Sequence, residues 1–175
     1  MKKTYIQIYT GDGKGKTTAA LGLGFRAAGR GLKVKMLQFL KGMHTGEEES
    51  IKRHDNFTLY PIAEANGLFW TLPKSEQIEL KKKTQIQWSE FLEYLNSHPC
   101  DVLILDEIMA ALYNGLISEQ QVCDFLDKKD ENMEVILTGR NAPKAIADRA
   151  DLITEMKKVR HYYDKGVISR EGIEK

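Results

Sequence analysis

The first residues in this chain able to do chemistry together form one run, Thr10-Gly11-Asp12-Gly13-Lys14-Gly15-Lys16-Thr17-Thr18. Gly11, Gly13 and Gly15 let the backbone turn sharply and aim several N–H groups into one hollow, which suits a bound anion. A helix starting at the end of the run adds the partial positive charge of its N-terminus. Lys16 would then set a cation on the terminal phosphates of a nucleoside triphosphate, and the Thr17 hydroxyl would ligate Mg²⁺. The candidate nucleotide contacts are Gly11, Asp12, Gly13, Lys14, Gly15, Lys16, Thr17 and Thr18, with Lys16 and Thr17 closest to the chemistry. In the usual G-x-x-x-x-G-K-[ST] spacing the first glycine falls at residue 10, where this chain has Thr10. A glycine-rich turn that holds no ligand is the alternative.

A second set ends the run Val102-Leu103-Ile104-Leu105-Asp106-Glu107. An apolar strand closing in two carboxylates puts acidic groups at the carboxyl edge of a sheet, where ligands bind in open α/β folds. Asp106 and Glu107 therefore join Thr17 as candidate Mg²⁺ ligands, directly or through water. By itself such a pair also reads as a solvated strand end; beside the glycine-rich loop it reads as the other half of a site. The two sets imply ATP or a similar nucleotide with Mg²⁺. They do not choose among hydrolysis, phosphoryl transfer and switching.

The elements that must position these residues follow from periodicity. Tyr5–Tyr9 reads as a strand, and a helix runs from about Thr17 to Arg30, stopped by Gly29 and Gly31. Val34–Phe39 is a second strand and Phe57–Ile62 a short third one. Leu80, Thr84, Trp88, Leu92 and Leu95 share one face of a helix over 75–96, with Ser75 as its N-cap. Val102–Leu105, Glu134–Thr138 and Asp151–Met156 are further strands. Ser118-Glu119-Gln120-Gln121 fits a capping box, and Pro143 opens a short helix. Strands alternating with helices predict an α/β fold, a mostly parallel sheet with helices on both faces. Between Lys41 and Pro73 lies a long helix-poor stretch, and loops that long are usually functional or mobile. The chain after Val159 has no assignable element.

Composition bounds the rest. The 175 residues suit a single domain, 1–175, since domains typically run about 100–150 residues. Lys and Arg number 26 against 25 Asp and Glu, so a net charge of +1 argues against nucleic-acid binding by overall charge. No apolar run reaches the ~20 residues of a membrane helix, and the start shows no signal-peptide pattern, which predicts a cytoplasmic protein. Cys100 and Cys123 read as buried thiols of a reducing compartment. His44, His54 and His98 lack metal-ligand spacing. Lys81-Lys82-Lys83 and Lys157-Lys158 near Arg160 read as wet faces.

The choice of reaction comes from a resemblance. Tyr9 to Gly22, Arg26-Ala27-Ala28-Gly29, Gln38-Phe39-Leu40-Lys41-Gly42, Gly46-Glu47, Leu105-Asp106-Glu107-Ile108, Leu137 to Pro143, Ala150 to Met156, His161 and Gly172-Ile173-Glu174 occur in this order. The series resembles corrinoid (cob(I)alamin) adenosyltransferases of the CobA/BtuR type over nearly the whole length, including the Thr before the first glycine. The resemblance implies a RecA-like P-loop fold, usually a homodimer. It implies attack by the Co(I) of a reduced corrinoid on C5′ of ATP, with triphosphate leaving and adenosylcobalamin forming. A reductase or flavodoxin-like electron donor would supply the Co(I). The family places ATP reversed in its loop and uses a Phe and a Trp in a Gly-Phe-x-Trp stretch to push the lower ligand off cobalt. In Asn66-Gly67-Leu68-Phe69-Trp70, Trp70 matches and the Phe position falls on Leu68, beside Phe69. Ordinary core is the other reading of these three side chains. Arg26, Gln38, Lys41 and Arg140 are further candidate contacts to nucleotide or substrate, with structural ion pairs as the alternative for the arginines. A small-molecule phosphotransferase or ATPase, and a RecA-like switch that binds nucleic acid or protein, are the competing functions. Their products or ligands would be ADP, and DNA or RNA held in a salt-dependent way.

Overall fold

A computed structural model describes residues 4–42, 45–65 and 67–174. His44 and Asn66 lie outside the described residues. In chain order the elements are β1 (Ile6–Thr10), α1 (Lys16–Ala28), β2 (Val34–Phe39), α2 (Gly46–Ile51), β3 (Phe57–Ile62) and α3 (Lys74–Ser97). There follow β4 (Val102–Asp106), α4 (Ile108–Tyr113), α5 (Glu119–Lys128), β5 (Glu134–Thr138), α6 (Lys144–Ala147) and β6 (Leu152–Glu155). The strands form one six-stranded sheet in the order β3-β2-β4-β5-β1-β6. Every pairing is parallel. Parallel neighbours need crossover connections, and the helices between strands supply them. This is the α/β fold with a parallel sheet that the strand–helix alternation predicts, and it is consistent with the P-loop NTPase-like fold that the resemblance implies.

Alternation along the strands divides the interior into two layers. On one face α1 and α2 cover Tyr9, Val34, Met36, Ile104 and Ile136. On the other, Leu37, Phe39, Leu103, Leu105 and Leu137 meet Trp88 and Phe91 of α3 and the buried residues of α4, α5 and α6. Gly24 lets α1 press against the sheet, since a Cβ there would come 2.8 Å from the Phe57 ring. Cys100 and Cys123 are buried and free, and burial pushes the Cys100 thiol up to about 12. Among the described residues no helix is long and apolar enough to cross a membrane.

Several local expectations need correction. Ser75 does not cap α3: Pro73 occupies the N-cap position with no side-chain cap bond, and Ser75 lies inside the first turn. α1 stops at Ala28, short of Arg30, because Gly29 to Gly31 close a turn back onto Phe25, Ala27 and Ala28. The stretch after Lys41 is more ordered than expected: besides the predicted strand, which is the edge strand β3, it holds α2 and a 3-10 turn over Phe69–Thr71. Pro61 lacks a ladder donor, which an edge strand tolerates. α4 was not predicted, because a six-residue helix is too short to show a period. The capping box on α5 is present, with Gln121 N–H donating to Ser118 Oγ at 3.2 Å and Ser118 N–H to Gln121 Oε1 at 2.9 Å.

Candidate functional site

The glycine-rich run leaves β1 at Thr10 and enters α1 at Lys16, at the carboxyl edge of the sheet. Gly11 and Gly15 have φ of 104° and 116°, a region that disfavours any side chain. Gly11 and Gly13 also lie where a Cβ would strike the Met156 carbonyl, because the chain leaving β6 packs directly on the loop. The Gly13 N–H donates to Met156 O at 2.7 Å, and the Lys158 N–H donates to Asp12 Oδ1 at 2.9 Å. That second bond holds the Asp12 carboxyl below its ordinary range. The Lys16 ammonium folds back into the hollow and donates to Gly11 O (2.8 Å) and Gly13 O (2.7 Å). Burial lowers its pKa. Lys14 and Thr18 are exposed and line the cavity over the loop.

Across the hollow stands Asp106, fully buried at the end of β4. Its Oδ1 accepts from Thr17 Oγ1 at 2.8 Å and from Thr138 Oγ1 at 2.7 Å; its Oδ2 accepts from Gln38 Nε2 at 3.1 Å. The sheet order explains the trio. β5 separates β1 from β4, and β2 flanks β4 on its other side, so Thr138 and Gln38 end beside Asp106. The chain then turns at Glu107, which has a left-handed φ of 59° and donates its N–H to Thr138 Oγ1 at 2.9 Å. Burial, and then the Asp106 charge, raise the Glu107 pKa. Lys41 pairs with Glu47 at 2.7 Å. Burial opposes ionisation of Glu47, but the Lys41 hydrogen bond leads the effects that hold it below its ordinary pKa. Leu40, Ala63 and Asn141 share the left-handed conformation of Glu107. All four follow strands at this one edge, where strained backbone commonly marks a working site.

Two cavities open at that edge. One, of about 600 Å³, lies over the loop between Lys14–Thr18, Lys41, Glu47 and the C-terminal Gly172–Glu174. The other, of about 680 Å³, is walled by Trp70, Met109, Leu112, Tyr113, Arg140 and Pro143. Lys16 and Glu107 line both.

The structure thus brings together Gly11, Asp12, Gly13, Lys14, Gly15, Lys16, Thr17, Thr18, Gln38, Lys41, Asp106 and Glu107. Arg140 joins them from the second cavity, near enough for its charge to act on Lys16 and Glu107. Arg26 is not brought in. It sits in the last turn of α1, about 15 Å down the axis from Lys16, because the helix runs away from the loop. The aromatic segment divides: Phe69 is buried in the core with the Lys81 ammonium 5.7 Å from its ring centre, while Leu68 and Trp70 are 56% and 66% exposed. Thr138 and Glu47 carried no assigned role in the sequence. Tyr113, 87% exposed on the second cavity, gave no signal at all. Among the described residues no three His, Cys, Asp or Glu side chains converge as a metal cluster; Thr17 with Asp106 is the oxygen pair that could hold a cation.

Comparison with known sequences agrees with this arrangement. A sequence model of the family ATP:corrinoid adenosyltransferase BtuR/CobO/CobP matches residues 2–174. A corrinoid adenosyltransferase of Sinorhizobium sp. is 35% identical over 178 residues, spanning 99% of this chain and 81% of its own. Those of Pseudomonas aeruginosa and Escherichia coli K12 are 31% and 30% identical over 97% of this chain, and 82% and 84% of their own. Since the match runs through every strand of the sheet and through both halves of the edge site, the chain belongs to the ATP:corrinoid adenosyltransferase family.

Proposed function

We propose that this chain transfers the 5′-deoxyadenosyl group of ATP to the cobalt of reduced cob(I)alamin or a related corrinoid, releasing inorganic triphosphate. The observation that carries this reading is the wall shared by two unlike cavities, Lys16 and Glu107 standing between a glycine-rich hollow and an aromatic-lined one. A polyphosphate suits the first and a flat ring suits the second, so the two substrates would meet at one place.

In the transfer, the electron pair of the substrate's Co(I) forms the Co–C5′ bond. The C5′–O bond breaks and its pair departs on the triphosphate. Negative charge therefore grows on the leaving oxygen, which preorganised donors in a dry site stabilise best. The loop N–H groups and the start of α1 supply such donors. The Lys16 ammonium, held in the hollow on the Gly11 and Gly13 carbonyls, would supply a cation to that charge. Thr17 and Asp106, with Glu107 alongside, form the Mg²⁺ site in this reading. A hydroxyl and a carboxylate 2.8 Å apart fit an ion that otherwise keeps waters and phosphate oxygens. Bound Mg²⁺ would offset phosphate charge. Thr138 and Gln38 fix the Asp106 carboxylate for that task. With Phe69 turned inward, we assign the corrin face to Trp70 and Leu68.

In this reading 1–175 is one domain that works in the cytoplasm as a homodimer, with a separate electron donor keeping cobalt reduced. The homodimer and the electron donor rest on the family resemblance alone.

The test is anaerobic incubation with ATP, Mg²⁺ and cob(I)alamin, followed by visible spectra and phosphate analysis. Adenosylcobalamin and triphosphate are expected. Release of ADP with no change in the corrinoid spectrum would sink the assignment and favour a phosphotransferase or ATPase.

A further inference from the structure

The last sixteen described residues lack helices and strands apart from one 3-10 turn, and most are exposed, yet they end on the nucleotide-side cavity. Gly172, Ile173 and Glu174 form part of its wall, beside Lys14. The Lys14 ammonium donates to Glu174 Oε1 at 2.9 Å and to the Tyr162 hydroxyl at 2.8 Å. The Tyr162 hydroxyl also hydrogen-bonds Glu174 Oε1. Arg170 holds the same carboxylate from the other side. Its N–H and Nε donate to Oε2 at 2.9 and 3.2 Å, and its terminal nitrogen to Oε1 at 2.9 Å. Its guanidinium lies 5.0 Å from the centre of the Tyr162 ring.

One carboxylate thus ties together two cations that would otherwise repel each other. The group keeps a surplus of one positive charge at the cavity rim. A lysine on a glycine-rich loop would normally lose rotamer entropy when it closed on a ligand. Here that ordering is done before the ligand arrives. The Lys14 side chain remains 41% exposed, so its ammonium is not sealed from the cavity, whereas the Glu174 side chain is 17% exposed.

We infer that Glu174, with Tyr162, is a positioning residue for the nucleotide, holding Lys14 where the anionic phosphate chain binds. The inference rests on the proposed nucleotide site, and the measurement separates the two. ATP affinity with Mg²⁺ is measured by calorimetry on the full chain, without corrinoid, and the KM values for ATP and cob(I)alamin are measured by turnover. Glu174→Ala should weaken ATP binding about five- to tenfold, leaving kcat and the corrinoid KM within about twofold. Lys14→Ala should weaken it by a similar factor. The double variant should be no worse than Lys14→Ala alone, because Glu174 acts through Lys14. Glu174→Gln, which keeps shape and loses charge, should fall between wild type and Glu174→Ala. Unchanged ATP affinity in Glu174→Ala, with its melting temperature preserved, would overturn the inference. So would tighter binding, which would make the carboxylate a competitor of phosphate, or losses that multiply in the double variant. A wild-type chain that binds ATP but forms no adenosylcobalamin would overturn the proposed reaction and leave the role of Glu174 standing.

Discussion

The two cavities on either side of Lys16 and Glu107 are built in opposite ways. On the nucleotide side nearly every polar group is committed before a ligand arrives. Asp106 accepts three hydrogen bonds, Lys16 is clamped on two carbonyls, and Lys14 is held by the tail. On the other side Trp70 and Tyr113 are exposed rings, and Phe69 between the two exposed neighbours of its own segment is buried. In the proposed reading the contrast matches what each side would bind. A multiply charged chain demands fixed dipoles, because orienting them during reaction costs energy. A large flat ring needs apolar area and room to enter.

The contrast can be broken by substitution, and the largest effect is expected at the shared wall. Lys16→Ala should lower the rate of adenosylcobalamin formation by roughly 10³-fold or more, since it removes the cation nearest the leaving group. A loss of only a few-fold would show that the loop amides alone suffice. Asp106→Asn keeps the shape but removes the charge, and should cost about 10²-fold, with a matching increase in the Mg²⁺ needed for half-maximal rate. An unchanged Mg²⁺ requirement would move the metal away from Asp106. Trp70→Ala should slow reaction starting from Co(II) about tenfold and reaction from preformed Co(I) less than about threefold, by comparison of the two assays. Equal losses would refute its part in displacing the lower ligand. Phe69→Ala should affect turnover least and stability most. A denaturant titration should show a loss of about 3 kcal/mol, as for a buried aromatic cut to a methyl. A stable Phe69→Ala with weakened corrinoid binding would reverse the assignments of the two neighbours.

How far the sequence could be read depended on the range of the interactions. The glycine-rich run was readable because φ above zero and close backbone approach are demands on single residues, met by Gly11, Gly13 and Gly15. The acidic pair was readable because an unbroken apolar run, Val102–Leu105, announces a covered strand and therefore its end. The helix of α3 showed in its period, and only the cap was misplaced, since Pro73 starts a helix without needing Ser75. Arg26 was left open between a nucleotide contact and an ion pair, and its place in the last turn of α1 puts it away from the loop.

By itself, then, the sequence determined the family and the strand–helix alternation, and it marked the glycine-rich loop as the candidate phosphate site, all written in short runs. Only the tertiary structure decided that Thr138 and Gln38 orient Asp106, that Phe69 turns inward while Trp70 stays exposed, and that Glu174 reaches Lys14. Each depends on where strand order and chain return place groups far apart in sequence. Thr138 is 32 positions from Asp106, and Glu174 is 160 from Lys14. No local pattern encodes such meetings, because packing of the whole sheet, and not the propensity of any segment, sets those distances.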